Sequence, residues 1–419
     1  MNAFVTPLRQ AAAAQESATP SARPGRTDIL SGLPQLAAAI APGAAQRELQ
    51  REAPFAAFDL LRASGIGALR IGREQGGPGG SIADVIEVVA TLAAADSNVA
   101  HALRTHFNTT ELLRLDRSPS PLAQRQIGWV LEGKLFGGAF TELGTARAGI
   151  STSTLRREGE HHRLNGKKYY ATGTAYADYF NVFAVNAQEQ GITAVIPVQR
   201  EGVRVLDDWD GMGQRLTASG SVELDNVLVY DDEISPSSRE QLPGRHASAL
   251  RQLILVATAA GIVRNLFSDA RHYVLHLGRP AMHSPAERSC DDHFVQAVVG
   301  ELAAASYAID QLVAENARQL DLGAEALLLE HDDTENIVLH GALATAKTQL
   351  VVSRLALNAA ERLFEVGGAP ATSRKLNLDR HWRNLRTIFS HNPLLHKSRV
   401  VGDYELNGTR THLEEGRVF

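Results

Sequence analysis

The sequence predicts an α+β protein in which a β domain separates two helical regions. Apolar residues recur at helical spacing up to about residue 135. Between Gly137 and Tyr230, short apolar segments alternate with turns rich in Gly, Asp and Asn. Three long amphipathic segments with short connections follow, as in an antiparallel bundle. We therefore expect helical, β and helical domains at residues 31–135, 136–235 and 236–419, after a leader at residues 1–30.

The composition of the chain is that of a soluble globular protein and disfavours several classes of partner and site. The chain has 419 residues, 44% hydrophobic and 21% charged, which is ordinary for a soluble globular protein. A net charge of -5 does not favour binding to nucleic acid or to an anionic membrane. With Cys290 as the only cysteine, no disulfide within the chain and no cysteine-based metal site is possible. We find no signal peptide and no apolar run of the ~18 residues that a membrane span needs, so we expect a cytoplasmic enzyme.

The N-terminal region reads as a leader followed by helices. The first residues are rich in Ala, Ser and Pro without an apolar core, which predicts disorder. Helical periodicity covers Leu36–Ser64 and stops at Gly65. Ser81 and Asp84 form an approximate capping box for a helix that begins at Ile82.

The next predicted helix, Asn98–Leu115, contains two histidines. His101 and His106 are five residues apart and so lie on different helix faces, which excludes a metal pair. His272 and His276 are four apart, but no carboxylate lies between them. We therefore expect no metal site, and we interpret His101 as structural.

The β region begins with an alternating pattern. Arg156, Glu158 and His162 alternate with smaller or apolar residues, and Asn165-Gly166 is typical of a type I′ turn. We expect the chain to reverse at Asn165-Gly166. The predicted strands are Lys168–Thr172, Tyr179–Val185, Ile192–Val198, Val203–Leu206 and Ser221–Val229.

The C-terminal region carries three long predicted helices, and these have more apolar surface than one short bundle needs. Their predicted ranges are Ala247–Leu277, Glu287–Leu320 and Asp333–Phe364. Two shorter helices are expected at Arg380–Phe389 and Leu394–Tyr404, with Pro393 marking the break between them.

A combination of short motifs resembles the acyl-CoA dehydrogenase superfamily. The chain reads Phe140-Thr141-Glu142, then Asn165-Gly166-x-Lys168-x-Tyr170-x-Thr172-Gly173, then Ala177-Asp178. The resemblance extends from about Arg51 to Gly408. It implies an acyl-CoA dehydrogenase-like fold with an N-terminal helical domain, a middle β-barrel domain and a C-terminal four-helix bundle. In this superfamily the two threonine segments hold the edge of a flavin.

The carboxylate base of an acyl-CoA dehydrogenase is missing. Proton removal beside a thioester carbonyl needs a carboxylate close to the substrate. No Asp or Glu occurs between Asp379 and Asp403, and Ser390-His391-Asn392 stands where the superfamily carries its base. The first bundle helix, a less common location, has no carboxylate from Arg245 through Ser268. Simple acyl-CoA dehydrogenation is therefore disfavoured.

Two C-terminal segments resemble the flavin-dependent monooxygenase branch of the superfamily, which includes dibenzothiophene monooxygenase and sulfur-acquisition enzymes. These segments are Leu378–Pro393 and Val400–Thr409. The resemblance implies reduced FMN (or FADH2) supplied by a separate NAD(P)H:flavin reductase. It also implies O2, a C4a-(hydro)peroxyflavin, and a small sulfur- or nitrogen-containing substrate. A dry pocket and a hydrogen-bond donor would suit that chemistry, and histidine can be the donor.

The resemblance also assigns residues. The predicted catalytic residues are His106, His391 and Asn392. The predicted flavin contacts are Phe140, Thr141 and Thr172 at the ring, with Arg279, Gly367 and Gly368 at a phosphate, Arg279 from a neighbouring subunit. Phe107, Phe140, Trp209 and Phe389 are either dry pocket walls or plain core. The superfamily's adenine contacts are not clear here, so FMN is favoured and FAD remains possible.

Two other functions stay open at this point. The first is an FAD-dependent acyl-CoA dehydrogenase or oxidase with a displaced base. The second is a non-catalytic flavin-binding homologue. No Gly-x-Gly-x-x-Gly nicotinamide motif follows a strand, which agrees with a separate reductase. The superfamily buries such apolar bundle surface in a dimer of dimers, so the resemblance implies a homotetramer with shared flavin sites.

Overall fold

The computed structural model describes residues 23–147, 149–236 and 241–411. Within them, helices precede and follow one sheet, so the predicted α+β class and the helix–sheet–helix order are confirmed. Most of the predicted leader lies outside the described residues, but α1 already begins at Arg26. The domain limits themselves stay a prediction.

Among the described residues, seven α-helices precede the sheet. They are α1 (Arg26–Ile40), α2 (Ala44–Gln50), α3 (Phe55–Ser64), α4 (Ile82–Ala95), α5 (Ser97–Ala102), α6 (Arg104–Leu115) and α7 (Pro121–Leu131). The predicted helix Leu36–Ser64 is thus three segments, because Pro42-Gly43 and Pro54 interrupt it. The capping box is confirmed: the Ser81 Oγ accepts the Asp84 N–H at 3.0 Å, and Asp84 accepts the Ser81 N–H at 2.7 Å.

The sheet has eight strands. They are β1 (Phe136–Ala139), β2 (Thr154–Glu158), β3 (His161–Lys168), β4 (Tyr179–Val185), β5 (Gly191–Pro197), β6 (Val203–Val205), β7 (Val222–Val229) and β8 (Ile234–Pro236). The order is β6-β7-β3-β2-β4-β5-β8, and β1 pairs in parallel with β4. The strand pairs among the described residues do not include one between β6 and β8. The strands enclose an apolar cluster built around Leu164, Phe180 and Val227.

The predicted reversal at Asn165-Gly166 is wrong. β3 runs through both residues, and the turn between β2 and β3 lies at Gly159-Glu160. The pairing of β3 with β7 shifts register between Leu164 and Gly166, as in a bulge. A Cβ on Gly166 would lie 2.1 Å from the Ser153 Oγ, so glycine is required by close packing. The predicted strand Lys168–Thr172 is also wrong, because β3 ends at Lys168 and Tyr170 adopts φ 58°.

Six α-helices follow the sheet in the described part of the chain. They are α8 (Leu242–His276), α9 (His293–Leu329), α10 (Thr334–Arg362), α11 (Gly368–Ala371), α12 (Arg380–Phe389) and α13 (Leu394–Asn407). Helices α8, α9 and α10 pack on one another, and α4 lies along α8. One apolar cluster therefore joins the helices on both sides of the sheet.

Two of the described helices, α8 and α9, are long and apolar enough to cross a membrane by length and composition alone. The sequence analysis expected no such segment. In α8, 72% of the most apolar stretch is buried inside the protein, as in the core helix of a soluble protein. In α9 the corresponding share is 28%, which leaves an apolar face at the surface.

Candidate active site

The break between α5 and α6 lies against both threonine segments. A Cβ on Gly173, which has φ +79°, would lie 2.2 Å from the Ala102 carbonyl oxygen. A Cβ on Gly138 would lie 2.7 Å from the Thr105 Cγ2. Both glycines thus allow a close approach that other residues would block. The start of α6 therefore covers the two segments that the sequence analysis assigned to the flavin edge.

The structure brings the two threonine segments together. The Tyr169 N–H donates to the Thr141 carbonyl oxygen at 2.8 Å, in an isolated antiparallel bridge. The Thr172 hydroxyl lies 2.7 Å from the Ser219 hydroxyl, and Ser219 lies 2.7 Å from the Thr217 hydroxyl. A row of hydroxyl groups thus starts at Thr172. Hydroxyls both donate and accept, which suits the polar edge of a flavin ring.

Two aromatic residues beside this row, Tyr169 and Tyr170, were given no role in the sequence analysis, and they lie next to the candidate pocket wall Trp209. Tyr170 is 49% exposed and adopts φ 58°, a conformation that bulky residues rarely adopt. Its ring centroid lies 4.8 Å from that of Tyr169 and 6.0 Å from that of Trp209. A half-exposed aromatic surface beside hydroxyl groups fits a planar isoalloxazine ring. The only signal in the sequence was the Tyr-Tyr pair ahead of Thr172.

Glu142, the last residue of the first motif, shapes the loop that follows. It is buried and forms an ion pair with the Lys168 Nζ at 2.6 Å. Its oxygens also accept hydrogen bonds from Ser151, Thr152 and Ser153. Burial acts to raise the pKa of Glu142, but Lys168 and the hydroxyl donors outweigh it and hold that pKa well below its usual range. Glu142 therefore stays charged and holds its loop beside Thr141.

His391 lies where a helix ends, as predicted. Helix α12 ends at Phe389 and α13 begins after Pro393. The Arg104 Nη1 donates to the His391 Nε2 at 2.8 Å, and the His391 Nδ1 lies 3.0 Å from the Asn392 Oδ1. Since arginine only donates, this network assigns the proton of a neutral His391 to Nδ1.

His391 has accessible surface, yet burial and the charge of Arg104 hold its pKa well below 6.5. Solvent reaches the ring, but protein atoms surround most of it. We refer to the region around His391, Arg104 and Asn392 as the cleft. We therefore expect a neutral His391 at physiological pH that can donate one hydrogen bond, from Nδ1, if it releases Asn392.

His101, interpreted from the sequence as structural, lies close to Arg104 and His391. Its Nδ1 lies 3.2 Å from the Gln214 Oε1, and the Gln214 Nε2 donates to the Ser97 hydroxyl at 3.1 Å. Burial, with the charge of Arg104, lowers the pKa of His101 to about 3. The Gln214 N–H donates to the Asn384 Oδ1 at 2.7 Å, so this network ties α5 to α12.

His106 does not lie free in the cleft. It is buried, its Nε2 donates to the Gly67 carbonyl oxygen at 2.8 Å, and its Nδ1 accepts the Phe136 N–H at 3.2 Å. Burial lowers its pKa to about 4, so the ring is neutral with a single N–H. Because that N–H is used by Gly67, the geometry contradicts the predicted donor role. His106 instead fastens β1 to the segment after α3.

Phe107 and Phe389, two of the candidate pocket walls, belong to the helical core. Each has 1% of its surface exposed. Phe140 packs over Gly138, since a Cβ there would lie 2.6 Å from the Phe140 Cε2. Phe140 and Trp209 are therefore the members of that set that border the threonine segments.

The predicted phosphate contacts lie at one end of the bundle. Arg279 is exposed just beyond α8. A Cβ on Gly367 would lie 2.3 Å from the Tyr273 Cε1, and the Tyr273 carbonyl accepts the Gly278 N–H at 2.7 Å. Gly368 has φ +54°. Among the described residues, no hydrogen bond joins Arg279 to Thr141 or Thr172, so a shared role needs a second subunit and stays a prediction.

Comparison with known proteins agrees with this geometry. Residues 139–227 match the middle domain of acyl-CoA dehydrogenases, and residues 253–394 match their C-terminal domain. SfnC of Pseudomonas putida, a probable FMNH2-dependent monooxygenase, is 31% identical over 90% of this chain and 94% of its own. The chain belongs to the acyl-CoA dehydrogenase superfamily, in its flavin-dependent monooxygenase branch.

Two solved structures of that branch show the same fold. TdsC of Paenibacillus sp. A11-2, a dibenzothiophene monooxygenase solved with FMN bound, has 31% identity and a TM-score of 0.83. The match covers 91% of this chain and 98% of TdsC. The methanesulfinate monooxygenase MsuC of Pseudomonas fluorescens has 31% identity and a TM-score of 0.81, over 91% and 97% of the two chains. The predicted superfamily branch is therefore confirmed.

Proposed function

We propose that this protein is a two-component monooxygenase that uses reduced FMN and O2 to oxygenate a small sulfur- or nitrogen-containing compound. The observation that carries the proposal is the chemistry of the cleft. A neutral His391 paired with Arg104 stands where a dehydrogenase needs a carboxylate base. The relatives support the same reading, because SfnC is FMNH2-dependent and TdsC binds FMN.

Reduced FMN, when bound, supplies the activation of O2, and the chain's own residues prepare its site. Tyr170 and Trp209 offer a surface for the ring, and Thr141, Thr172 and Ser219 offer hydrogen bonds along its edge. The packing of the α5–α6 break on Gly138 and Gly173 places protein atoms directly against the two threonine segments. His391 holds a proton at Nδ1, where it can donate to a bound oxygen species.

An acyl-CoA dehydrogenase with a displaced base is the second candidate function. The first carboxylate after the empty stretch of α8 is Asp269, which Arg380 and His381 bind at 2.5 and 2.8 Å. Burial acts to raise the pKa of Asp269, but His381 and Arg380 outweigh it and lower the pKa to about 2. A carboxylate so strongly stabilised as an anion is a poor base. This argues against the second candidate.

The proposal is tested by single turnover. The protein is loaded anaerobically with reduced FMN and then mixed with O2 and a panel of sulfides, sulfones, sulfinates and amines. An oxygenated product from any of them supports the proposal. Flavin bleaching by an acyl-CoA, with no oxygenated product, would instead favour the dehydrogenase. If neither an oxygenated product nor flavin bleaching is observed, the result favours a non-catalytic flavin-binding protein.

A separate reductase is part of the proposal. We expect the pure protein not to oxidise NADH or NADPH in the presence of FMN, because no nicotinamide-binding motif is present in the sequence. Added NAD(P)H:flavin reductase should start both NADH oxidation and product formation. The measurement is the fall in absorbance of NADH. Steady oxidation by the pure protein would exclude a two-component system.

We also predict a cytoplasmic homotetramer. The exposed face of α9 carries Phe294, Tyr307, Leu322 and Leu329, which are 86%, 69%, 52% and 70% exposed. Large apolar side chains clustered at a surface indicate an interaction site. Light scattering at micromolar protein should give four times the chain mass of 45.2 kDa. A monomeric mass would exclude both the tetramer and a role for Arg279 at a neighbour's flavin.

A further inference from the structure

Four basic side chains meet at the cleft beside the threonine segments. Arg104 donates to His391 at 2.8 Å, and the positive charge of Arg104 acts on both His391 and His101. Lys397, on α13, is 1% exposed and acts on His391 as well. In the cluster of His101, Arg104, His391 and Lys397 the two histidines are neutral, and Arg104 carries the lasting positive charge.

Arg104 differs from the other enclosed arginines in its partners. Arg70, Arg380 and Arg383 each bind a carboxylate, from Glu111, Asp269 and Glu48 respectively. No carboxylate of the described residues lies within 4.0 Å of the Arg104 guanidinium. Burial lowers the pKa of Arg104 to about 10 and that of Lys397 to about 7. For Arg104, a largely enclosed charge with no carboxylate beside it is unfavourable unless a ligand supplies the opposite charge.

We propose that this cluster binds the charged end of an anionic substrate, a small organic oxyanion such as a sulfinate, through Arg104. The inference rests on the proposed monooxygenase function and gives its substrate class. The comparisons leave this class open, because TdsC has been solved with indole and MsuC acts on methanesulfinate, at the same 31% identity. A guanidinium binds two oxygens of one oxyanion in parallel, so Arg104 suits a sulfinate or a carboxylate.

The position of Arg104 fits this role. Its neighbours in the chain, Ala102 and Thr105, pack on Gly173 of the second threonine segment and on Gly138, which precedes the first segment. An anion bound at Arg104 would therefore lie close to the two threonine segments that the proposed function assigns to the flavin edge. The competing occupant of Arg104 is the flavin itself, through its phosphate or its charged ring edge.

The test is binding without turnover. Titration calorimetry measures benzenesulfinate, benzoate and the neutral methyl phenyl sulfone against protein saturated with oxidised FMN. We expect benzenesulfinate to bind at least tenfold more tightly than the sulfone. We expect Arg104→Met to weaken the binding of benzenesulfinate at least tenfold, and Arg104→Lys to restore part of that loss. Neither variant should change the binding of the sulfone. Benzoate binding equal to that of benzenesulfinate would assign the site to oxyanions in general, and weaker benzoate binding would assign it to sulfinates.

Arg204→Met is the matched control. Arg204 is an exposed arginine on β6, so the variant removes the same charge far from the cleft. It should bind benzenesulfinate as the wild type does. FMN affinity and melting temperature are measured for every variant. If Arg104→Met loses FMN affinity, Arg104 serves the flavin and the proposal is overturned. The proposal is also overturned, without any variant, if the wild type binds the sulfone as tightly as it binds benzenesulfinate.

The two proposals fail separately. If sulfinate binding depends on Arg104 but no panel compound is oxygenated, the monooxygenase function fails and the anion site stands. If only neutral compounds are oxygenated and sulfinates do not bind, the anion site fails and the monooxygenase function stands.

Discussion

Replacing Glu111 by alanine is expected to lower the free energy of unfolding by about 3 to 5 kcal/mol, the usual cost of removing one partner of a buried ion pair. Glu111, on α6, has no exposed surface. It binds the Nε of Arg70, lies 3.1 Å from the Arg70 Nη2, and lies 3.0 Å from the His246 Nε2 on α8. Arg70 also donates to the Gly80 carbonyl oxygen at 2.9 Å.

The large effect follows from what the alanine leaves behind. Arg70 is 6% exposed and would stay charged without its carboxylate, because an arginine does not release its proton. The hydrogen bond to His246 would be lost as well, so α6 and α8 would lose their polar link. Urea unfolding of FMN-free protein, followed by circular dichroism, measures the change.

The control is Glu158→Ala, which removes the Glu158–Arg163 pair at the surface of the sheet. Exposed pairs contribute about 0 to 1 kcal/mol, so this variant should unfold nearly as the wild type does. Equal destabilisation by the two variants would contradict the importance of the buried cluster.

The effect of Glu111→Ala should depend on pH. Burial acts to raise the pKa of Glu111, but Arg70 and His246 outweigh it and lower that pKa from 4.5 to about 2. A carboxyl with a lowered pKa stabilises the fold above its unfolded-state pKa and loses that contribution as pH falls through the folded value. The difference between wild type and Glu111→Ala should therefore be constant above about pH 5 and shrink toward pH 2.

Replacing His391 by alanine should reduce productive turnover about ten- to a hundredfold while FMN still binds. If the His391 Nδ1–H donates to a bound oxygen species, its loss costs roughly one to three kcal/mol. Oxygen should then leave as hydrogen peroxide instead of entering the product. The measurement is the fraction of O2 that enters product, in folded and flavin-saturated protein with the reductase present.

The alternative role of His391 is to end α12, through its contacts with Arg104 and Asn392. In that case the variant would melt at a lower temperature with an unchanged fraction of oxygen in product. His161→Ala, at an exposed histidine of β3, is the control and should change neither quantity. His106→Ala should mainly lower stability, because His106 binds two backbone groups. A less than additive effect of the His106/His391 double variant on the product fraction would revive a shared donor role.

Local patterns in the sequence determined the order of the domains and the start and end of several elements. Ser81 and Asp84 fix the start of α4, and Pro393 separates α12 from α13, because these signals act within a few residues. The sequence also determined a chemical fact, since no folding can place an Asp or Glu between Asp379 and Asp403 where none exists.

Only the tertiary structure decided features that depend on partners distant in the chain. Asn165-Gly166 forms a bulge because Ser153 packs against Gly166 and β7 pairs with β3. Of the two histidines in the predicted helix Asn98–Leu115, His101 lies near Arg104 and His391, whereas His106 binds Gly67 and Phe136.

The charge of the cleft was decided in the same way. In the sequence, no motif distinguishes Arg104 from an ordinary surface arginine. Whether a carboxylate reaches it depends on how α6, α12 and α13 come together, and in the described structure a histidine does so instead. Electrostatic partners are set by distance in space, which the order of residues along the chain does not contain.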